Sequence, residues 1–221
     1  MSERGEPTVG WRAREVEEEL PGLRVLVTEA EHVRRQALTG GSPPELLERL
    51  RELSDRVRGA RAVSIRREPV PAAYRVFFRH IGLEPDVERT PIEAAVLERV
   101  LSGGFLSGGL LADVLLIALV DTGVPVWALD ADTVDGALGI RTSREGERLG
   151  AGADAPQLAS GRLVVADSST AQAILFGEIA PAHRPRARTR RVTLFAVQVE
   201  GVPTLYAQEA LWTCRAALEG S

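Results

Sequence analysis

Three stretches of this sequence carry side chains whose types and spacing could do chemistry. The first is Asp130-Ala131-Asp132-Thr133-Val134-Asp135-Gly136. Aspartates at alternate positions before a glycine match the opening of a calcium loop, where short carboxylates bind a hard cation. Such a loop needs a bidentate acid at its twelfth position, and Glu145 and Glu147 fall beyond that frame. The expectation is therefore a turn whose aspartates bond their own backbone, with Gly136 at positive φ and no metal. The second stretch holds Arg184, Arg186, Arg188, Arg190 and Arg191, adjoined by His183. On an extended segment alternate residues face one side. These arginines would then track a phosphate backbone, and the competing reading is a solvated loop. The third is Asp167-Ser168-Ser169-Thr170 at the end of an expected strand. Its hydroxyls suit a cap or turn, because no histidine lies near in sequence to activate a serine.

The remaining reactive residue types narrow the chemistry. All 27 basic residues are arginine. Without lysine there is no Schiff base and no phosphate-loop ammonium. The single Cys214 excludes a disulfide framework within the chain and a multi-cysteine zinc site, and its apolar neighbours make it a core residue. His32, His80 and His183 are far apart in sequence and form no HExxH pair. No cofactor is expected. The net charge of −4 argues against bulk affinity for nucleic acid, but charge is segregated along the chain. Residues 101–140 hold Asp113, Asp121, Asp130, Asp132 and Asp135 and no arginine, whereas residues 181–191 hold the five arginines and no acid.

These residues need elements to position them. Residues 11–20 read as an acidic helix broken by Pro21-Gly22, and residues 23–27 as a strand. A helix over 43–58, capped by Ser42, places Leu46, Leu50, Leu53 and Val57 on one face. That face docks either on the protein's own core or on a partner. Helices follow at 72–80, at 90–101 behind the capping box Thr90-Pro91-Ile92-Glu93, and at 110–121, which is apolar nearly all round and hence buried. After Gly123 short apolar runs at 124–129, 138–141, 163–166, 173–176 and 192–199 read as strands, and 204–218 as a closing helix. Helices leading into a mixed, mostly antiparallel sheet assembly with a closing C-terminal helix make an α+β fold. The chain reads as a single domain over 1–221, with residues 1–60 as a helix-strand-helix extension packed on it. The longest apolar run, 110–120, is interrupted by Asp113 and is too short for a membrane span. The first six residues lack a basic-then-apolar signal. The expected location is the cytoplasm, with no membrane partner.

The order of motifs resembles a known module. Thr90-Pro91-Ile92-Glu93, the glycine pairs, Leu111-Ala112-Asp113-Val114 and Val124-Pro125-Val126-Trp127-Ala128-Leu129-Asp130-Ala131-Asp132 come first. Gly136, Ile140-Arg141, Gly146-Glu147, Leu163-Val164-Val165-Ala166-Asp167 and the strand at 192–199 follow. Together, over residues 74–218, they resemble the central B-three/B-four domain of the phenylalanyl-tRNA synthetase beta subunit. That resemblance implies a stand-alone tRNA- or RNA-binding protein; if it is an enzyme, it is a hydrolase of aminoacyl-tRNA esters. No ATP-binding core fits in the remainder, so it is not an aminoacyl-tRNA ligase by itself. Scaffold positions match at Asp113, Pro125, Asp130, Asp132, Gly136, Arg141 and Asp167. The family's polar pocket residues are replaced: its threonine and asparagine by Leu115 and Leu116, its histidine by Trp127 and its glutamate by Phe195. Apolar side chains cannot position water or stabilise an oxyanion. A pocket of Leu115, Leu116, Trp127, Phe195 and Arg141 would suit an amino-acid-like or aromatic small molecule, which is the alternative to tRNA as ligand.

Overall fold

The computed structural model describes residues 6–152 and 154–220. The first five residues, read above for a targeting signal, lie outside them. In chain order the elements are β1 (Thr8–Val9), β2 (Trp11–Arg12), α1 (Arg14–Glu19), β3 (Arg24–Ala30), α2 (Arg35–Thr39), α3 (Pro44–Arg56) and α4 (Ala60–Ser64). Then come α5 (Pro69–His80), α6 (Pro91–Ser102), α7 (Leu110–Thr122), β4 (Val126–Asp130), β5 (Gly139–Thr142), β6 (Leu163–Ala166), β7 (Ala171–Ile174), β8 (Val192–Gln198) and α8 (Thr204–Glu219). The fold is α+β, closed by α8.

Two four-stranded sheets organise it. The first runs β1-β3-β8-β4, with every neighbouring pair antiparallel; the second runs β2-β5-β6-β7 and is parallel only at β2–β5. β8 is buried at all seven residues, because β3 and β4 cover its edges and both its faces are packed. Its continuous apolar sequence is what a strand buried on both faces requires. The acidic helix expected from residue 11 instead starts at Arg14. Trp11 and Arg12 pair with Gly139 and Ile140, and the Trp11 ring lies against Gly139, where no side chain could fit.

Helix α7 serves two cores. Val114 and Ala118 join the main cluster with β3, β4, β8 and α8, whereas Ile117 and Val120 join a second cluster with Leu50, Leu53, Val57, Ile92 and Val96. The apolar face of α3 thus packs on the protein's own core. Each large side chain so buried contributes roughly 1.5–3 kcal/mol. The Thr90/Glu93 capping box opens α6 as expected. The Ser42 cap does not form: Pro43 is the capping residue of α3, and the Ser42 hydroxyl donates to Asp113 at 2.6 Å. Asp113 is 1% exposed and also accepts from the Ser107 hydroxyl and the Gly108 N–H. A buried carboxylate needs such donors, and this one ties the residue 42 loop and the glycine-rich connection to the start of α7.

Candidate functional site

The residues expected to line one pocket are divided by the fold. Trp127 on β4 and Phe195 on β8 are cross-strand partners, stacked with ring centroids 5.4 Å apart and 10° between planes. Leu115 packs on the same core, but Leu116, one position along α7, packs on the second cluster. Arg141 on β5 is elsewhere. Its guanidinium makes two bonds to Glu147, one of 2.7 Å, and a third to the Thr142 carbonyl. With side chains 11% and 14% exposed, Arg141 and Glu147 neutralise each other. The Glu147 bond holds the arginine above its ordinary pKa and, in return, the glutamate below its own. Arg141 therefore offers no free fork to a carboxylate ligand.

A residue the sequence did not single out fills the space beside Trp127. The Phe176 ring lies 5.2–6.0 Å from those of Tyr74, Phe77, Phe78 and Trp127. Its φ of 58° is left-handed, which costs a bulky residue about 1–2 kcal/mol. The turn enforces this conformation: Gly177 N–H bonds the Ile174 carbonyl and Ile174 N–H the Glu178 carbonyl. The Tyr74 hydroxyl donates to the Val197 carbonyl at 2.6 Å, so it is spent within the backbone. The result is an aromatic cluster in which the Tyr74 hydroxyl is spent and the Trp127 indole N–H is the donor that remains among these rings. Residues 173–176 were expected as a strand, but the strand is Ala171–Ile174 and Phe176 lies in the turn that Gly177 marks.

The two aspartate motifs are structural. Asp167, 3% exposed, accepts from the N–H groups of Asp135, Ser169 and Thr170, the Ser169 hydroxyl and the Gln172 amide. Burial alone would raise its pKa, but the bonds from Asp135, Thr170 and Ser169 outweigh it and hold the carboxyl below its ordinary value. Asp130 accepts from Asp132 N–H and the Thr189 hydroxyl, Asp132 pairs with Arg191, and Gly136 has a φ of 79°. This is the backbone-bonded turn expected there. Among the described residues no group of three His, Cys, Asp or Glu side chains is placed to hold a metal ion. Cys214 is fully buried, and burial pushes its thiol up to about 12.

The arginines do not lie on a strand. After a helical turn at Pro181–His183, the chain folds back where Thr189 N–H bonds the Arg186 carbonyl and Arg186 N–H bonds the Thr189 hydroxyl. Thr189, 1% exposed, donates in turn to Asp130 at 2.6 Å and pins the loop to the end of β4. His183 is buried, its Nδ1 3.1 Å from the Thr133 carbonyl. All five arginines are exposed. Arg191 is neutralised by Glu29 and Asp132. Arg186 donates to the Pro181 carbonyl and Arg190 to the carbonyls of Ala187 and Thr189, which orients the forks and leaves their charge intact. Neither of these, nor Arg184 or Arg188, has an ion-pair partner among the described residues.

The chain matches no protein-family model. Its sequence is 35% identical over 88 residues to the phenylalanine–tRNA ligase beta subunit of Xanthomonas euvesicatoria pv. vesicatoria (strain 85-10), covering 40% of this chain and 10% of that protein. The beta subunits of Xanthomonas campestris pv. campestris (strain 8004) and Xanthomonas oryzae pv. oryzae (strain MAFF 311018) are 35% identical over 106 residues, 48% of this chain and 11% of theirs. The chain thus spans about a tenth of the length of the curated relatives it matches, and it is distantly related to a segment of that subunit. No helix among the described residues is long and apolar enough to cross a membrane.

Proposed function

We propose that this chain is a counterpart of the synthetase's central B-three/B-four module, acting apart from an aminoacylation core in the cytoplasm. In this reading it binds tRNA through phosphate contacts and does not hydrolyse the aminoacyl ester. The observation that carries the reading is the loop at residues 184–191, where Arg184, Arg186, Arg188 and Arg190 are exposed and unneutralised while their backbone is pinned by Thr189. Arginine forks match phosphate oxygens, and a fixed loop lowers the cost of ordering them on binding. The relatives' name, a tRNA ligase subunit, supports tRNA as the polyanion. The aromatic cluster supports the absence of hydrolysis, since Trp127, Phe195 and Phe176 occupy the region where water and an oxyanion would have to be held. The same filling leaves an amino-acid-like ligand less support than tRNA.

The test is affinity for total tRNA at low salt, wild type against Arg184→Ala/Arg188→Ala, alongside a deacylation panel of mischarged tRNAs. The expected result is binding that weakens about tenfold in the variant, as lost phosphate contacts imply, with no deacylation above the uncatalysed rate. A wild type that ignores tRNA refutes the binding proposal. Deacylation that survives purification and disappears in Trp127→Ala refutes the non-hydrolytic one.

A further inference from the structure

Residues 31–39 lie far in sequence from the arginine loop, yet the fold joins them to it. Val33 N–H donates to the Arg190 carbonyl at 2.9 Å. Val33 and Ala37 are buried at 0% and 1%, so the backbone between them is held on the core while Arg34 and Arg35 stand exposed. Neither arginine has an ion-pair partner among the described residues. The carboxylates around this junction are mostly engaged. Glu29 and Asp132 pair with Arg191, and Glu219 pairs with Arg215 and accepts the Glu31 N–H. Glu31 makes no close ion pair among the described residues and acts on Arg191 only at longer range. Against it stand Arg34, Arg35, Arg184, Arg186, Arg188 and Arg190.

We infer that Arg34 and Arg35 form a second arm of the phosphate-binding surface, so that one RNA backbone is held by two chain segments. The inference rests on the RNA-binding reading above and extends it to the N-terminal part of the chain. Arg34 and Arg35 follow the Val33–Arg190 bond by one and two residues, at about 3.8 Å of chain per residue. The Val33–Arg190 bond sets the two segments side by side, where one polyanion can meet both. Arg51 and Arg58 face solvent paired with Glu48 and Asp55. Here the cations face solvent without that compensation, on backbone that is already fixed.

The experiment is anisotropy of labelled total tRNA, titrated over a range of sodium chloride, with four proteins: wild type, Arg34→Ala/Arg35→Ala, Arg184→Ala/Arg188→Ala, and Arg51→Ala/Arg58→Ala. The last removes the same charge from arginines that are already neutralised. Far-UV circular dichroism shows that each is folded. The inference expects the Arg34/Arg35 variant to weaken binding about tenfold at low salt and to lose about one to two units of slope in log K against log salt. The Arg51/Arg58 variant is expected to stay close to wild type. Unchanged binding by the Arg34/Arg35 variant, with the loop variant weakened, overturns the second arm and leaves the RNA reading standing. Equal weakening by all three variants overturns it as a non-specific charge effect. A wild type that does not bind tRNA removes the RNA reading itself. Binding to phosphatidylserine-containing vesicles in preference to tRNA overturns RNA as the partner of this surface.

Discussion

Replacing Asp167 by alanine removes one carboxylate on which several donors depend. Three are main-chain N–H groups, of Asp135, Ser169 and Thr170, at 2.8, 2.9 and 2.7 Å. The Ser169 hydroxyl can turn to water, and the Gln172 amide keeps the Thr170 hydroxyl at 2.9 Å. With about 1–1.5 kcal/mol for each of the three stranded N–H groups, the cost is about 3–4.5 kcal/mol. The Ser168 hydroxyl still ties the two loops together through Asp135, so unfolding remains cooperative and the urea m-value unchanged. Asp167→Asn keeps one acceptor oxygen and is expected to cost about half as much. The pH dependence carries a sign. Asp167 and Glu147 both have folded-state pKa values below their ordinary ones. Their stabilisation is present above the unfolded-state pKa and is lost as pH falls through the folded-state value. Wild-type stability should therefore hold from pH 8 to about 5 and decline below about 4, and Asp167→Asn should decline less. Urea unfolding followed by circular dichroism across this pH range measures both. A cost under about 1 kcal/mol for Asp167→Ala, or an acid decline in Asp167→Asn as steep as in wild type, would show that the Asp167 carboxylate does not hold these loops.

Other perturbations follow from the same geometry. Arg141→Ala leaves Glu147 with its charge largely buried and should cost about 3 kcal/mol, whereas Arg141→Met/Glu147→Leu should cost less than the single change; urea midpoints decide between them. Cys214, its thiol pushed up to about 12, should resist Ellman's reagent at pH 8 in the folded protein and react once urea unfolds it. Rapid native labelling would contradict its burial. Trp127→Ala removes a ring stacked on Phe195 and in contact with Phe176, and should destabilise the fold by about 3 kcal/mol. It should nonetheless leave tRNA affinity within about twofold, because the arginine loop does not depend on it. Loss of binding in a folded Trp127→Ala would move the ligand to the aromatic cluster.

The long elements were legible because their signals are local. The heptad-like leucines of α3, the capping box of α6 and the apolar run of β8 each report a periodicity or an end that needs no distant partner. Two-residue strands such as β1 and β2 carry no periodicity and exist only through pairing with β3 and β5. The arginine run shows why pattern alone misled. Alternation at 184, 186, 188 and 190 has the period of a strand, but Thr189 is drawn inward by Asp130, 59 residues away, and folds the segment into a turn. The proposed pocket failed to assemble for a similar reason. Leu115 and Leu116 are adjacent on a helix that faces two cores, and Arg141 sits on a different sheet from Trp127 and Phe195, paired with Glu147. The Phe176 ring was hidden because its position depends on a left-handed turn. The link between Val33 and Arg190 crosses most of the chain and has no sequence signature.

The salt dependence of tRNA binding decides whether the arginine loop holds phosphates. For wild type, log K against log salt should fall steeply. Replacing Arg184, Arg186, Arg188 and Arg190 together by alanine should remove about three units of that slope, if each engages one phosphate. A flat wild-type line, or a quadruple variant as salt-sensitive as wild type, would contradict phosphate binding by the loop.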